Sequence, residues 1–414
     1  MVEKYRKLLQ PQYLSDFCCL GSECEDTCCF GWLVSIDKDT YKRYRQCPDE
    51  AMKQEMEKKI TRIRTNARDA FYAKIKLNKD GYCPFLDEKM LCSIQRKLGE
   101  EYLSITCTTY PRITNVVNGV VEKSLTMSCP EGARKALLNK ELMSFDETWE
   151  DSSIRNNLAR TIDTEHYKTI YQPNKYFWEL RIFIISLLQK RSYPLWQRLV
   201  ILGLFCRQLD QLIGEGKLKD IELLIGRYLN YIDNGDFMEE LTSIPNELTI
   251  QMELMKELAD ERIFAGVFSK RFMECFAEFL HGIQYTADSS KEEIGERYGK
   301  ANSQYYQPFM TEHEYVLENY LVNYVFKNLF PFSGEKHVFD NYVLMVVHYA
   351  MIKLFLIGMA GYHKENFNLE QVIKLISSFS RTVEHNSAYL KKVIKLLRDN
   401  KFNTMPYMAI LIKN

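Results

Sequence analysis

Neither sign of charge is in excess: 55 lysines and arginines face 55 aspartates and glutamates. A chain without a global field gives no electrostatic case for nucleic acid or an anionic membrane surface as its main partner, so charged recognition must be local. The opening stretch MVEKYRKLLQPQYL has no apolar run before its first proline. That argues against a secretory signal peptide and leads us to expect a cytoplasmic setting in which thiols stay reduced. No glycine-rich turn links a strand to a helix, which argues against a Rossmann-like domain; Gly214 and Gly216 in LIGEGKLKD read as a turn. Long apolar runs are also scarce. The one candidate, Val343 to Tyr362, contains His348 and Lys353, and we read it as a central helix buried in a helical domain, with no membrane span expected. Histidine is sparse, and none of the seven stands at a zinc spacing from the cysteines. His313 and His348 read as packing or surface residues, and the catalytic residues stay unassigned.

What is abundant is cysteine, and it is unevenly placed. Ten of the twelve cysteines lie between Cys18 and Cys129. With 414 residues the chain can bury a large core without disulfide staples, so a disulfide framework does not explain them. The asymmetry draws a boundary: residues 1–140 read as a loop-rich cysteine module, and residues 141–414 as an all-α domain. The predicted fold class is therefore mainly α, with a small β-hairpin in the first part.

Within the first part, Asn118-Gly119 stands between alternating apolar residues and predicts a type I′ hairpin over Ile113 to Thr126. Ala51 to Ala70 and Ser93 to Leu103 read as helices, and Trp32 to Ile36 as a short strand. In the second part, helical periodicity marks Phe177 to Lys190, Leu195 to Ile213, Leu218 to Ile232, Leu248 to Ile263, Phe268 to Ile283, His313 to Phe330, Phe339 to Gly361 and Leu369 to Leu397. The polar stretch from Asn139 to Pro173 reads as a connector.

Eight cysteines form the chemical signal: Cys19, Cys24, Cys28 and Cys29 in CLGSECEDTCC, Cys83 and Cys92 in CPFLDEKMLCSI, Cys107 in TCTTYPR and Cys129 in SCPEGAR. Thiolates that bind a soft metal must converge to about 2.3 Å from it, and short spacings let one turn of chain supply two or three of them. The adjacent pair Cys28 and Cys29 cannot both face one apolar interior on regular structure. Spacing does not separate zinc from an iron–sulfur cluster, nor one site from two. Cys18 and Cys47 read as non-ligands, and Cys206 and Cys275, on apolar helical faces, as core. The tyrosines at 305, 306, 315, 320 and 324 could line a pocket, but core packing accounts for them better.

Taken together, these motifs resemble the flagellin lysine-N-methylase family nearly end to end. The family pattern C-x-G-x-x-C-x-D-T-C-C-x-G-W, preceded by a phenylalanine, is met by Phe17, Cys19, Gly21, Cys24, Asp26, Thr27, Cys28, Cys29, Gly31 and Trp32. The later C-P-F-L, C-x-I-Q, T-C-x-x-Y-P-R and S-C-P-E fall on Cys83, Cys92, Cys107, Tyr110, Pro111, Arg112 and Cys129, and ENYLVNYVFKNLFPF also looks like the family. The resemblance implies methyl transfer from S-adenosylmethionine to lysine ε-amines of flagellin, with a 4Fe–4S cluster, or alternatively zinc, on the eight cysteines. It leaves open a non-catalytic zinc- or iron-chelating interaction module. The chain departs from the usual radical-enzyme pattern in having no C-x-x-x-C-x-x-C, so the mechanism is open. Asp26, Tyr110 and Arg112, beside the cysteines, are the candidate cofactor-binding residues; each could bind the donor carboxylate, orient ligands or tie loops together.

Overall fold

The computed structural model describes residues 4–65, 68–244, 269–286 and 288–413. The hairpin forms where Asn118-Gly119 places it. Strand β5 (Arg112–Val117) turns into β6 (Val120–Leu125), with Val117 opposite Val120. Asn118 and Gly119 both take positive φ, 48° and 78°, which is the type I′ geometry.

Around this hairpin stands a five-stranded sheet in the order β7-β1-β6-β5-β8, in which β1 is Tyr5–Pro11, β7 Phe145–Asp151 and β8 Leu158–Ile162. β1 runs parallel to β6 and antiparallel to β7, and β5 runs parallel to β8. Two of these strands come from the stretch read as a connector. Their side chains face solvent along most of their length, so neither shows the apolar alternation that marks a strand in sequence.

A second, smaller unit holds the motifs of Cys29, Cys83, Cys92 and Cys107, whereas Cys129 packs with the main core. A three-stranded sheet, β2 (Ser35–Ile36), β4 (Ala73–Ile75) and β3 (Ile60–Arg62), packs with helices α1 (Lys38–Arg45), α2 (Glu50–Lys59), α3 (Ser93–Leu98) and α4 (Ile105–Thr109). Their apolar faces make a separate core from Val34, Ile36, Met52, Met56, Phe85 and Ile94. The helix expected through Ala70 ends at Lys59, because Ile60 leaves it to pair with Ile75. The helix expected through Leu103 stops at Leu98, where Gly99 adopts φ 94°.

The remainder is helical: α5 (Pro130–Leu137), α6 (Phe177–Leu188), α7 (Leu195–Gly214), α8 (Ile221–Asn234), α9 (Met238–Thr242), α10 (Lys270–Gly282), α11 (Lys291–Ala301), α12 (Gln307–Asn328), α13 (Val338–His363), α14 (Leu369–Phe379), α15 (Ser387–Asp399) and α16 (Met405–Lys413). The mainly α class is as expected from periodicity. The helix predicted over Leu248 to Ile263 lies outside the described residues. Leu369 to Leu397 is not one helix: a π-helical turn over Ser380–Glu384 ends α14, and the Asn386 side chain caps α15.

One continuous core runs from Tyr13 to Ile412, with α13 at its centre. This is the one described helix long and apolar enough to cross a membrane, and 94% of its most apolar window is buried inside the protein. The Asp210 carboxylate on α7 caps its start, accepting from Val338 N and Phe339 N at 2.8 Å each. Farther along, α10 crosses it so closely that a Cβ on Gly282 would stand 1.7 Å from Gly358 O.

The sheet is fastened to the helices by charge. Glu122 on β6 receives both terminal nitrogens of Arg181 on α6, at 2.7 and 2.8 Å, and Arg181 also donates to Phe326 O on α12. Both side chains are almost fully buried. Glu122→Gln should therefore cost about 3–5 kcal/mol by stranding a buried guanidinium, and Glu122→Leu with Arg181→Met together should recover most of it. Urea unfolding measures both; a single-variant cost below about 1 kcal/mol would contradict the clamp.

Candidate functional site: a cysteine region joined to a buried cavity

Each cysteine segment is held by ordinary local structure. The loop carrying Cys28 and Cys29 lies against residues 81–83: Phe30 bridges Tyr82, Gly31 N donates to Gly81 O at 2.9 Å, and Cys83 N donates to Cys29 O at 2.8 Å. Cys83 and Cys92 flank a turn closed by the Leu86–Cys92 bridge, in which the Asp87 side chain accepts from Lys89 N and Leu91 N. Cys107 rides on α4, whose cap, Ser104, accepts from Cys107 N at 3.2 Å. Asp37 ties that helix down by accepting from Ile105 N. Cys129 occupies the N-cap of α5, its sulfur 3.5 Å from Gly132 N.

The thiols gather in two neighbourhoods. Cys28 and Cys29 sulfurs lie 3.9 Å apart, and Cys29 also hydrogen-bonds Cys83. The charges of Cys83 and Cys28 act on Cys92, and those of Cys92, Cys83 and Cys28 on Cys107, so five thiols share one region. Cys19 and Cys24 act on Cys129 and form the other. Hydrogen bonding from Cys29, helped by Arg381, holds Cys28 down to about 7 against its burial. Cys29 is pushed far up by the same bond and by its contact with Cys83. Burial raises Cys107 and Cys129 to about 12. All twelve cysteines are free thiols; Cys47, Cys206 and Cys275 are buried. As the side chains stand, no three Cys, His, Asp or Glu groups among the described residues are arranged to hold a metal ion. The donor set is nevertheless suited to a thiophilic centre: soft, reduced sulfurs from four separate segments meet around one small core.

Two of the three cofactor candidates, Asp26 and Tyr110, meet at the Arg381 guanidinium, and Arg112 does not. Asp26 pairs with Arg381 at 3.0 Å, and burial lifts its carboxyl above the usual range despite that partner. Tyr110 stacks at 5.6 Å on Trp32 and shares a hydrogen bond of 3.1 Å with Ser128. Arg112 instead lies over the Phe17 ring, 5.2 Å from its centroid.

Arg381 belongs to the π-helical turn after α14, far along the chain from the cysteines. Its guanidinium donates to the Asp26 carboxylate, to Thr27 O at 2.9 Å and to Ser128 O at 3.5 Å. Four residues on, His385 Nε2 lies 3.1 Å from both Thr126 Oγ1 and Ser128 Oγ. A single turn thus touches the Cys28 loop, the Cys129 segment and the hairpin. On its other side opens a cavity of about 440 Å³ between the sheet and the helices, lined by residues that include Asn115, Arg160, Tyr324, Lys327, His348, Glu384 and Lys391.

The cavity floor is polar and buried. Glu384 accepts from Lys327 Nζ at 2.7 Å and from Tyr320 Oη at 2.6 Å, and, against its burial, the Lys327 charge holds its carboxyl down to about 2. His348, only 2% exposed, packs edge-on against Tyr324 and Phe379, with neither ring nitrogen partnered. Burial lowers it to about 4, so it rests as the neutral imidazole. Sequence reasoning missed Arg381, Glu384, His385, Lys327 and Ser128 and set His348 aside as packing or surface. The available signal was SFSRTVEHNS, where three ionisable residues interrupt an apolar helical period. Of the tyrosines, Tyr320 and Tyr324 reach this site, whereas Tyr306 and Tyr315 pack in the core.

No solved structure matches the chain. Curated lysine-N-methylases of Salmonella choleraesuis and Salmonella typhimurium are each 24% identical to it over 92% of this chain and 93% of their own length. The flagellar biosynthetic protein FliU of Salmonella muenchen is 34% identical over 33% of this chain and 81% of its own length. The family model for the FliB lysine N-methylase C-terminal domain matches residues 181–411, a span that contains α12, α13, Arg381, Glu384 and His385. By that match over more than half its length, the chain belongs to the FliB lysine N-methylase family.

Proposed function

We propose that this chain is a cytoplasmic methyltransferase that moves a methyl group from S-adenosylmethionine to lysine side chains of flagellin and carries an iron–sulfur cluster on its cysteines. The observation that carries the reading is the joining of the cysteine region to a half-open cavity with a polar floor through the turn that bears Arg381, in a chain of the lysine N-methylase family. Lysine-N-methylase is also the name of relatives similar over nearly the whole chain, and the FliU name of another supports a flagellar substrate.

The residues that would hold the cluster are Cys28, Cys29, Cys83, Cys92 and Cys107, which share one neighbourhood; Cys19, Cys24 and Cys129 form a second group of candidates. A thiolate-bound cluster, when bound, supplies an electron-transfer centre. Around it the chain's own groups position and screen. Arg381 neutralises Asp26 and fixes the loop that carries Cys28. Tyr110 and Trp32 close an aromatic face over the same loop, since Trp32 Nε1 donates to Cys28 O at 2.5 Å. Asp26, Tyr110 and Arg112 remain the groups offered to the donor, with Arg112 suited to its carboxylate. The acceptor imposes a separate demand. A lysine ammonium has no lone pair, so the enzyme must desolvate it or take its proton.

Two measurements test this reading. Anaerobic purification should yield a coloured protein with bound iron and acid-labile sulfide, and Cys28→Ser or Cys83→Ser should lower the iron content. A colourless protein that holds only zinc would favour the non-catalytic interaction module. Mass spectrometry of flagellin from cells with and without the chain should show lysine methylation only in its presence; identical lysine masses would remove the methylase reading.

A further inference from the structure

The cavity beside the π-helical turn has a property that packing does not explain. A neutral imidazole has one nitrogen that donates and one that accepts, and inside a folded protein both are normally satisfied. His348 satisfies neither, although it is almost fully buried and faces a cavity of about 440 Å³, within the range of small-molecule sites. The charges of Glu384 and Lys327 act on this ring and Tyr324 packs against it, while Arg160 from β8, Glu335 from the loop before α13, His385 from the turn and Lys391 from α15 line the same cavity. From α14, Phe379 adds an apolar ring edge-on.

We propose that this cavity receives the side chain of the acceptor lysine and that a ring nitrogen of His348 accepts a hydrogen bond from the amine once its ammonium has lost a proton. The proposal rests on the methyltransferase reading and adds to it the place of the acceptor and the group that holds its amine. Three features select a primary amine on an alkyl stem. Leu344 and Leu390 offer apolar walls for the methylenes, and Tyr324 offers an aromatic ring for the cationic end. The unpartnered imidazole nitrogen supplies the acceptor that an N–H needs.

The proton balance is simple. One N–H bond of R–NH₃⁺ breaks, its proton passes to water at the cavity mouth, and the electron pair stays on the amine nitrogen as its lone pair. The positive charge leaves with that proton, and His348 stays the neutral imidazole while one of its nitrogens accepts an N–H from the amine. Two effects bring the amine to this point. Lys327, already cationic, disfavours a second ammonium beside it, and desolvation does the same. Elsewhere in the fold, burial lowers Lys353 on α13 to about 7 against the charge of Glu314.

The test uses the full chain labelled with ¹⁵N-histidine and titrated with Nα-acetyl-lysine methylamide, with the norleucine analogue as control. We expect the ring-nitrogen signals of one histidine to move with the lysine compound and not with the control. That response should vanish in His348→Phe and need at least tenfold more ligand in Leu390→Trp, which fills the mouth without touching the ring. A response that persists in His348→Phe, or no histidine response in the unsubstituted chain, overturns the proposal. Methyl transfer to flagellin is followed in parallel. Absent transfer with His348-dependent amine binding would sink the methyltransferase reading alone. Transfer at the unsubstituted rate in both variants would sink the amine site alone.

Discussion

The Arg381 guanidinium is the contact on which this account depends. It lies where three parts of the chain meet, more than 350 residues in sequence from the Asp26 carboxylate it neutralises. A fork of fixed donors can satisfy a carboxylate and two carbonyls at once, which a lysine in its place could not do with the same geometry. Without it, the largely buried Asp26 would lose its ion-pair partner and the Cys28 loop its guanidinium tie to the helical body. A second tie supports it at the edge of the same seam, where Arg134 on α5 joins Glu25 of the cysteine loop to Glu370 of α14.

The π-helical turn that presents Arg381 also presents Glu384 and His385, and its irregularity is what lets it do so. A regular helix continuing α14 would hold these side chains at fixed angular steps. Widening one turn re-aims them, so that Arg381 meets the cysteine side while Glu384 meets Lys327 and Tyr320 in the cavity. Charge is buried here, at the Arg198–Glu318 pair and at the Glu122–Arg181 clamp, the last of which sets the sheet against α6 and α12. Since β5 and β8 form one wall of the cavity and α12 another, the clamp on the adjoining β6 fixes the distance across which the acceptor side chain would lie.

Much of this could be read from the residues alone, and the rest could not for identifiable reasons. Asn118-Gly119 announced its hairpin because only residues tolerant of positive φ make that turn. Long helices such as α7 and α13 declared themselves by period and length. β7 and β8 were silent because their faces are mostly wet, and the short β3 was hidden inside a helical-looking run until its partner Ile75 was known. The cysteine motifs pointed to one region, and the fold does bring Cys28, Cys29, Cys83, Cys92 and Cys107 into one neighbourhood. Arg381, Glu384 and His385 could not be assigned a role from sequence, since the partners of Arg381 and His385 lie in loops hundreds of residues away and those of Glu384 on a separate helix, α12. His348 was set aside for a sound reason, its apolar helical surroundings; what distinguishes it is the lack of a partner, which only a folded chain reveals.

The central claim is that the cysteine region and the cavity work as one methyl-transferring centre through Arg381. Its most direct test is to incubate the anaerobically purified chain, and its Arg381→Met variant, with methyl-labelled S-adenosylmethionine and flagellin, and then to locate the label. The account predicts labelled methyl groups on flagellin lysines with the unsubstituted chain and at least a tenfold loss of label with the variant, while both unfold in urea at similar concentrations. No label from the unsubstituted chain, or equal labelling by the two, would contradict it.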